Sequence, residues 1–144
     1  MHEAPDWAAK AAVCELITRY AALSDVGDWE ALAALYTENG RMSRPVAPDE
    51  FITGRAAILA AFKARPRRIS RHIVANVLVT LESADRARAA SQILLFSGIA
   101  ADDGGLPRQS AAPPLIGTYA DLLVRSGSGW HFQERHGSLD FRTP

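Results

Sequence analysis

Cysteine is almost absent from this chain. Cys14 is the only one, so no intrachain disulfide can form, and the composition fits a reducing compartment, with the cytoplasm as the expected location. Charge of one sign is missing as well. The 16 basic and 16 acidic residues cancel, which removes the usual footprint of a polyanion binder and argues against nucleic acid as a partner. No apolar run approaches the ~20 residues that a membrane span needs, so no membrane partner is expected. Residues 1–6 show no basic stretch followed by an apolar core, and no targeting leader is expected there. Gly54 precedes a helical pattern, but the Gly-rich run and lysine of a phosphate loop are lacking. A metal centre is also disfavoured. Close His and Cys spacings are wanting, and His131 and His136, five apart on an expected strand, fall on opposite faces unless a bulge intervenes.

What is present is an apolar chain of ordinary domain size. With 144 residues and 48% apolar side chains, it is long enough to close one sizeable core, so a single domain over residues 1–144 is expected. Asp6 is placed to cap a helix over residues 7–23, on which Ala8, Ala12, Leu16, Tyr20 and Leu23 recur at helical spacing. The polar break Ser24-Asp25-Val26-Gly27 follows. Asp28 then caps a short helix with Trp29, Leu32, Ala33 and Tyr36 on one face. Asn39-Gly40 reads as a turn, residues 41–46 as a short strand, and residues 54–64 as a third helix stopped by Pro66.

From His72 onward the period changes. Residues 72–81, 87–99 and 115–124 are β-branched, partly alternating runs, and residues 130–141 form a fourth after a Ser-Gly turn. Between the second and third runs, residues 101–114 are too rich in Gly, Pro and Asp for regular structure and read as a loop beside a pocket mouth. Helices first and an antiparallel meander afterwards indicate α+β. Three amphipathic helices on a strongly curved, mostly antiparallel sheet would enclose an apolar cavity closed at one end.

Asp25 with Asp28-Trp29-Glu30-Ala31-Leu32, then Gly54-Arg55-Ala56-Ala57-Ile58, Arg71-His72, Asn76, Gly117-Thr118-Tyr119-Ala120-Asp121, Gly129-Trp130 and Arg135 follow one another across nearly the whole chain. In this order and spacing they resemble the SnoaL-like branch of the NTF2-like superfamily, which includes scytalone dehydratase, hexachlorocyclohexane dehydrochlorinase and the β subunits of ring-hydroxylating dioxygenases. The resemblance implies a cone-shaped α+β fold and a homo-oligomer, trimer first and dimer second. It leaves function open, because the same fold carries lyases, isomerases, cyclases and subunits without catalysis.

Position by position, Asp25 and His72 match the Asp–His pair of the dehydratase and the dehydrochlorinase, and Arg135 is similar to the dehydrochlorinase's arginine near its leaving group. Tyr20 stands where that enzyme has a lysine, and Ser24 where the dehydratase has a tyrosine. The expected chemistry uses no cofactor. His72 would move a proton near neutrality, Asp25 would hold its tautomer, and Arg135 would meet developing negative charge. Tyr20, Tyr119, Ser138, Phe141 and, from residues 93–96, Ile93 and Leu95 are the candidate wall for a small hydrophobic, cyclic molecule. The activity so implied is that of a lyase or isomerase, and the alternative is a ligand-binding or assembly subunit.

Each candidate has a plainer reading. Asp25 follows a helix end, where aspartate often only forms a turn. His72 can be a surface residue. Arg135 can pair with Asp121 or Glu134 across neighbouring strands. The basic cluster Arg65, Arg67, Arg68 and Arg71 suits a helix C-terminus with no partner, or else a phosphate or carboxylate of a substrate. Cys14, Trp29 and Trp130 read as core residues.

Overall fold

The computed structural model describes residues 3–144; the leader expectation at residues 1–6 begins on Met1 and His2, outside the described residues. Helix α1 spans Glu3–Val26, so Asp6 lies within it and is not its cap. The buried stripe of α1 is Val13, Leu16, Ile17, Tyr20 and Ala21, an i, i+3, i+4, i+7 face. Ala8 and Ala12 are exposed; a small residue fits either side of a helix, and the larger Val13 and Ile17 decide which face turns inward. Gly27 ends the helix at φ 73°, a left-handed position that glycine occupies without steric cost. Asp28 then caps α2, Trp29–Ala33, by accepting from the backbone N–H of Ala31 at 3.2 Å.

Strand β1 is Tyr36–Arg44. Tyr36 is therefore not on the helix, and Asn39-Gly40 is not a chain-reversing turn. Tyr36 pairs with Phe132 and Arg41 with Glu134, so five steps on this strand face two on the other. The surplus is taken up around Asn39-Gly40 as a bulge, which is where such residues are tolerated inside a strand. The return strand β2, Ala47–Thr53, carries Pro48, Asp49 and Glu50 and does not read as a strand in sequence. It lies at the sheet's edge, where a missing donor and charged side chains cost little. Helix α3 is Arg55–Lys63, as expected.

The long strands are β3, Ile69–Ser83, and β4, Arg86–Ile99. A two-residue strand β5, Arg108–Gln109, pairs with β4 inside the segment expected to be all loop. Strands β6, Leu115–Ser126, and β7, Gly129–Leu139, complete one sheet of order β2-β1-β7-β6-β4-β3. β1 runs parallel to β7, and the other pairings are antiparallel. The architecture is thus α+β, a curled mixed sheet with helices packed on its inner face. Val13, Ile17, Tyr20, Leu32, Ile58 and Phe62 from the helices meet Tyr36, Ala87, Leu123 and Phe132 from the strands in one core. Trp130 belongs to that core, and Trp29 stacks on Phe62 with centroids 5.1 Å apart. Cys14 is half-buried on α1. No helix among the described residues is long and apolar enough to cross a membrane.

One irregularity in β7 governs which side chains reach the inside. Leu122 pairs with Glu134 but the next residue, Leu123, pairs with Phe132, so Gln133 is an extra residue. The bulge reverses the alternation. Trp130 and Phe132 are buried before it, and Arg135 and Gly137 after it. His131 and His136 consequently share the outer face, contrary to the simple count, and they have separate neighbours: His131 Nδ1 is 3.2 Å from the Gly129 carbonyl, while His136 stacks on Phe51.

Candidate functional site

Asp25 sits in the last turn of α1, and His72 lies near the start of β3, the strand against which α1 packs. Packing closes a separation of 47 residues. The imidazole Nδ1 of His72 is 2.5 Å from Asp25 Oδ1. The same carboxyl group accepts the backbone N–H of His72 at 3.1 and 3.0 Å on its two oxygens, and Ser70 Oγ donates to it at 3.2 Å. Arg71 approaches at 3.9 Å. Asp25 is thereby clamped by backbone as well as side chain, and the two side chains are only 6% and 12% exposed. An aspartate that merely formed a turn would be satisfied by its own neighbours; this one is satisfied by a strand.

Burial lowers the pKa of His72 below its ordinary 6.5, Asp25 opposes that effect through its hydrogen bond and charge, and the positive charges of Arg68 and Arg135 reinforce it. A neutral imidazole at neutral pH is the result. With Nδ1 engaged by Asp25, the remaining nitrogen, Nε2, is the one available to the cavity that His72 lines.

That cavity has a volume of about 380 Å³, within the range of small-molecule sites. Of the residues expected at it, Tyr20, Tyr119, Ile93, Leu95 and His72 are on its wall. Burial raises the phenol pKa of both Tyr20 and Tyr119, so both hydroxyls keep their protons and can donate. Tyr20 Oη is 2.9 Å from Tyr36 Oη.

Three expected residues are placed elsewhere. Phe141 is 68% exposed, beyond the end of β7. Ser138 faces away from the cavity because of the Gln133 bulge, and Leu139 takes the wall position in its stead. Arg135 is 1% exposed and lies behind the wall. Its Nε donates to Asp121 Oδ1 at 3.0 Å, and its guanidinium carbon is 3.9 Å from the ring centre of Tyr119 and 4.3 Å from that of Tyr20. The cross-strand pairing with Asp121 is therefore the one realised. Burial pushes the Asp121 carboxyl up to about 6 against the pull of Arg135. Arg135 stays charged: burial works against its proton, and Asp121 with the surrounding phenols outweighs it. It makes cation–π contact with both tyrosine rings and is not on the cavity wall.

Sequence reasoning missed much of the mouth. Arg44, Pro45 and Val46 reach it from the β1–β2 corner, and Arg65 and Arg68 from the segment between α3 and β3. The basic cluster was the signal for the last two, but a solvated helix end explains such a cluster equally well until its direction is known.

The SnoaL-like domain profile matches residues 5–136. Among solved structures, an NTF2-like protein with a cystatin-like fold from Novosphingobium aromaticivorans is 25% identical, with a TM-score of 0.74 over 93% of this chain and 83% of its own. A proposed scytalone dehydratase from the same organism is 22% identical, with a TM-score of 0.77 over 99% and 93%. A hexachlorocyclohexane dehydrochlorinase is 16% identical, with a TM-score of 0.80 over 99% and 92%. No curated protein gives a significant match. The profile match across nearly all of the sequence, on a curled sheet carrying its helices inside, establishes that the chain belongs to the SnoaL-like domain family and has the NTF2-like, cystatin-like fold.

Proposed function

We propose that the protein is a cofactor-independent lyase of the dehydratase or dehydrohalogenase type, or an isomerase, acting on a small hydrophobic, cyclic molecule. The observation that carries this reading is the 2.5 Å contact of Asp25 with Nδ1 of a cavity-lining, neutral His72. Nε2 takes a proton from a carbon next to a carbonyl or leaving group. The C–H electrons form a double bond as the leaving group departs, or the proton returns at another carbon in an isomerisation. Asp25 fixes the tautomer and stabilises the imidazolium. The protonated phenol of Tyr119 donates to negative charge developing on the substrate, in a setting too apolar for water to do so. Dehydratases and a dehydrochlorinase among the structural neighbours make elimination the first choice.

The rival reading, a non-catalytic binding or assembly subunit, needs no aligned acid and base and would tolerate a cavity filled by side chains. The open cavity of about 380 Å³ disfavours an assembly subunit, and the Asp25–His72 contact favours an enzyme over a ligand carrier. Under the same reading the protein is a cytoplasmic homo-oligomer, a trimer before a dimer, which light scattering on a sizing column would read directly. The test of function is a panel of cyclic β-hydroxy ketones and chlorinated rings followed by proton NMR in D₂O. Elimination or exchange should fall about 10²- to 10⁴-fold in His72→Ala and in Asp25→Asn; an activity that survives both substitutions unchanged refutes the mechanism.

A further inference from the structure

Three arginines meet at the cavity mouth from three places in the chain: Arg44 at the end of β1, Arg65 after α3 and Arg68 before β3. Several other arginines are matched, as Arg19 is with Glu15, Arg41 with Glu134, Arg88 with Glu82 and Arg135 with Asp121, and those that are not, such as Arg86, Arg108 and Arg125, do not line this cavity. Arg44, Arg65 and Arg68 have no carboxylate within 4.0 Å among the described residues. The Nε of Arg65 is buried without a hydrogen-bond partner, and its guanidinium lies 4.3 Å from the ring centre of Phe62, another wall residue. Like charges drawn together with one donor desolvated and unmatched are costly unless an anion joins them. No acidic residue is on the cavity wall to play that part. On the same cavity wall, Ile93, Leu95, Leu115 and Leu139 offer apolar surface.

We infer that the ligand of this cavity is an amphiphilic organic acid, a ring system whose carboxylate is held at the mouth by Arg44, Arg65 and Arg68 and whose apolar body reaches past His72 to the leucines. This names the substrate class of the proposed active site and rests on that cavity being the working one. A planar carboxylate matches the guanidinium fork. Anchoring at the mouth also fixes the distance between the ring and Nε2, so the charged group supplies orientation as well as affinity.

The matched probes 1-naphthoate and 1-naphthamide, equal in shape and different in charge, test it by calorimetric titration at pH 7.5 in 50 mM NaCl. The acid should bind at least tenfold more tightly than the amide, the preference should shrink in 500 mM NaCl, and it should vanish in Arg65→Met/Arg68→Met while amide affinity stays. Equal affinities, a preference that survives the double variant, or no binding of either probe at millimolar concentration overturns the inference. Should the double variant fail to fold, Arg44→Met and the salt titration of the unaltered protein carry the same decision. The unaltered protein separates this from the catalytic reading: acid preference there without any eliminase activity sinks the catalysis alone, activity without acid preference sinks the anion alone, and His72→Ala should keep the preference while losing the activity.

Discussion

At the scale of single residues, two buried charge arrangements do different work. His72 faces the cavity with Asp25 behind it, whereas neither Arg135 nor Asp121 reaches that wall. Burial holds the His72 pKa below 6.5, so the reactive base form prevails above that pH. The rate of any proton abstraction should therefore reach a plateau by pH 8 and fall on the acid side, with an apparent midpoint below 6.5; a pH profile of kcat/KM with its midpoint above 7 would contradict this. For the second pair, Arg135→Met leaves a carboxyl group buried without its partner and should cost about 3–5 kcal/mol, read by urea denaturation. Loss of the arginine also removes what holds the Asp121 pKa down to about 6. The native variant then keeps a proton that the unfolded chain has released, so its deficit relative to the unaltered protein should shrink as pH falls from 8 to 5. Adding Asp121→Leu should recover much of the loss, because two apolar groups need no compensation.

At the scale of elements, irregularities in the strands aim the site. The Gln133 bulge turns Arg135, Gly137 and Leu139 inward. Gly137 in turn allows a close approach: a Cβ there would lie 2.6 Å from Pro45 Cδ and 2.7 Å from Pro45 N. Pro45 is a wall residue at the corner between β1 and β2. Gly137→Ala should thus push that corner outward, destabilise by about 1–3 kcal/mol in urea denaturation and weaken ligand binding at the mouth. A variant with unchanged midpoint and affinity would show that the corner has room to shift. In β3 the pairing with β4 slips between Ala75 and Leu78, with Asn76 at φ 52°, a left-handed position asparagine tolerates. This bulge bends the long strand and adds to the curl that makes an inside. Alternation in the sequence identifies the strands but carries no mark for an inserted residue, which explains why Ser138 was expected on the wall and Leu139, which lines it, was not.

At the scale of the whole molecule, one sheet and one core join the helices to the strands. Unfolding should accordingly be a single transition, with far-UV circular dichroism and tryptophan fluorescence coinciding; separate midpoints would indicate two independent units. Helices α1 and α3, the long strands and the α+β class were legible because their signals are local: a 3.6-residue apolar period, a two-residue one, and caps such as Asp28. Strand β2 and the start of β1 were not, because Pro48 and the acidic pair beside it, like Asn39-Gly40, have turn-like propensities that pairing at the sheet's edge and with β7 overrides. The sequence by itself determined the helices, the long strands and their order and, through its resemblance to a family, pointed to Asp25 and His72 as a pair. Only the tertiary structure decided that the pair touches, that Arg135 stays behind the wall with Asp121, and that unmatched arginines gather at the mouth. Those outcomes depend on contacts between distant segments and on the phase of bulged strands, and a phase changed by one inserted residue redirects every side chain after it.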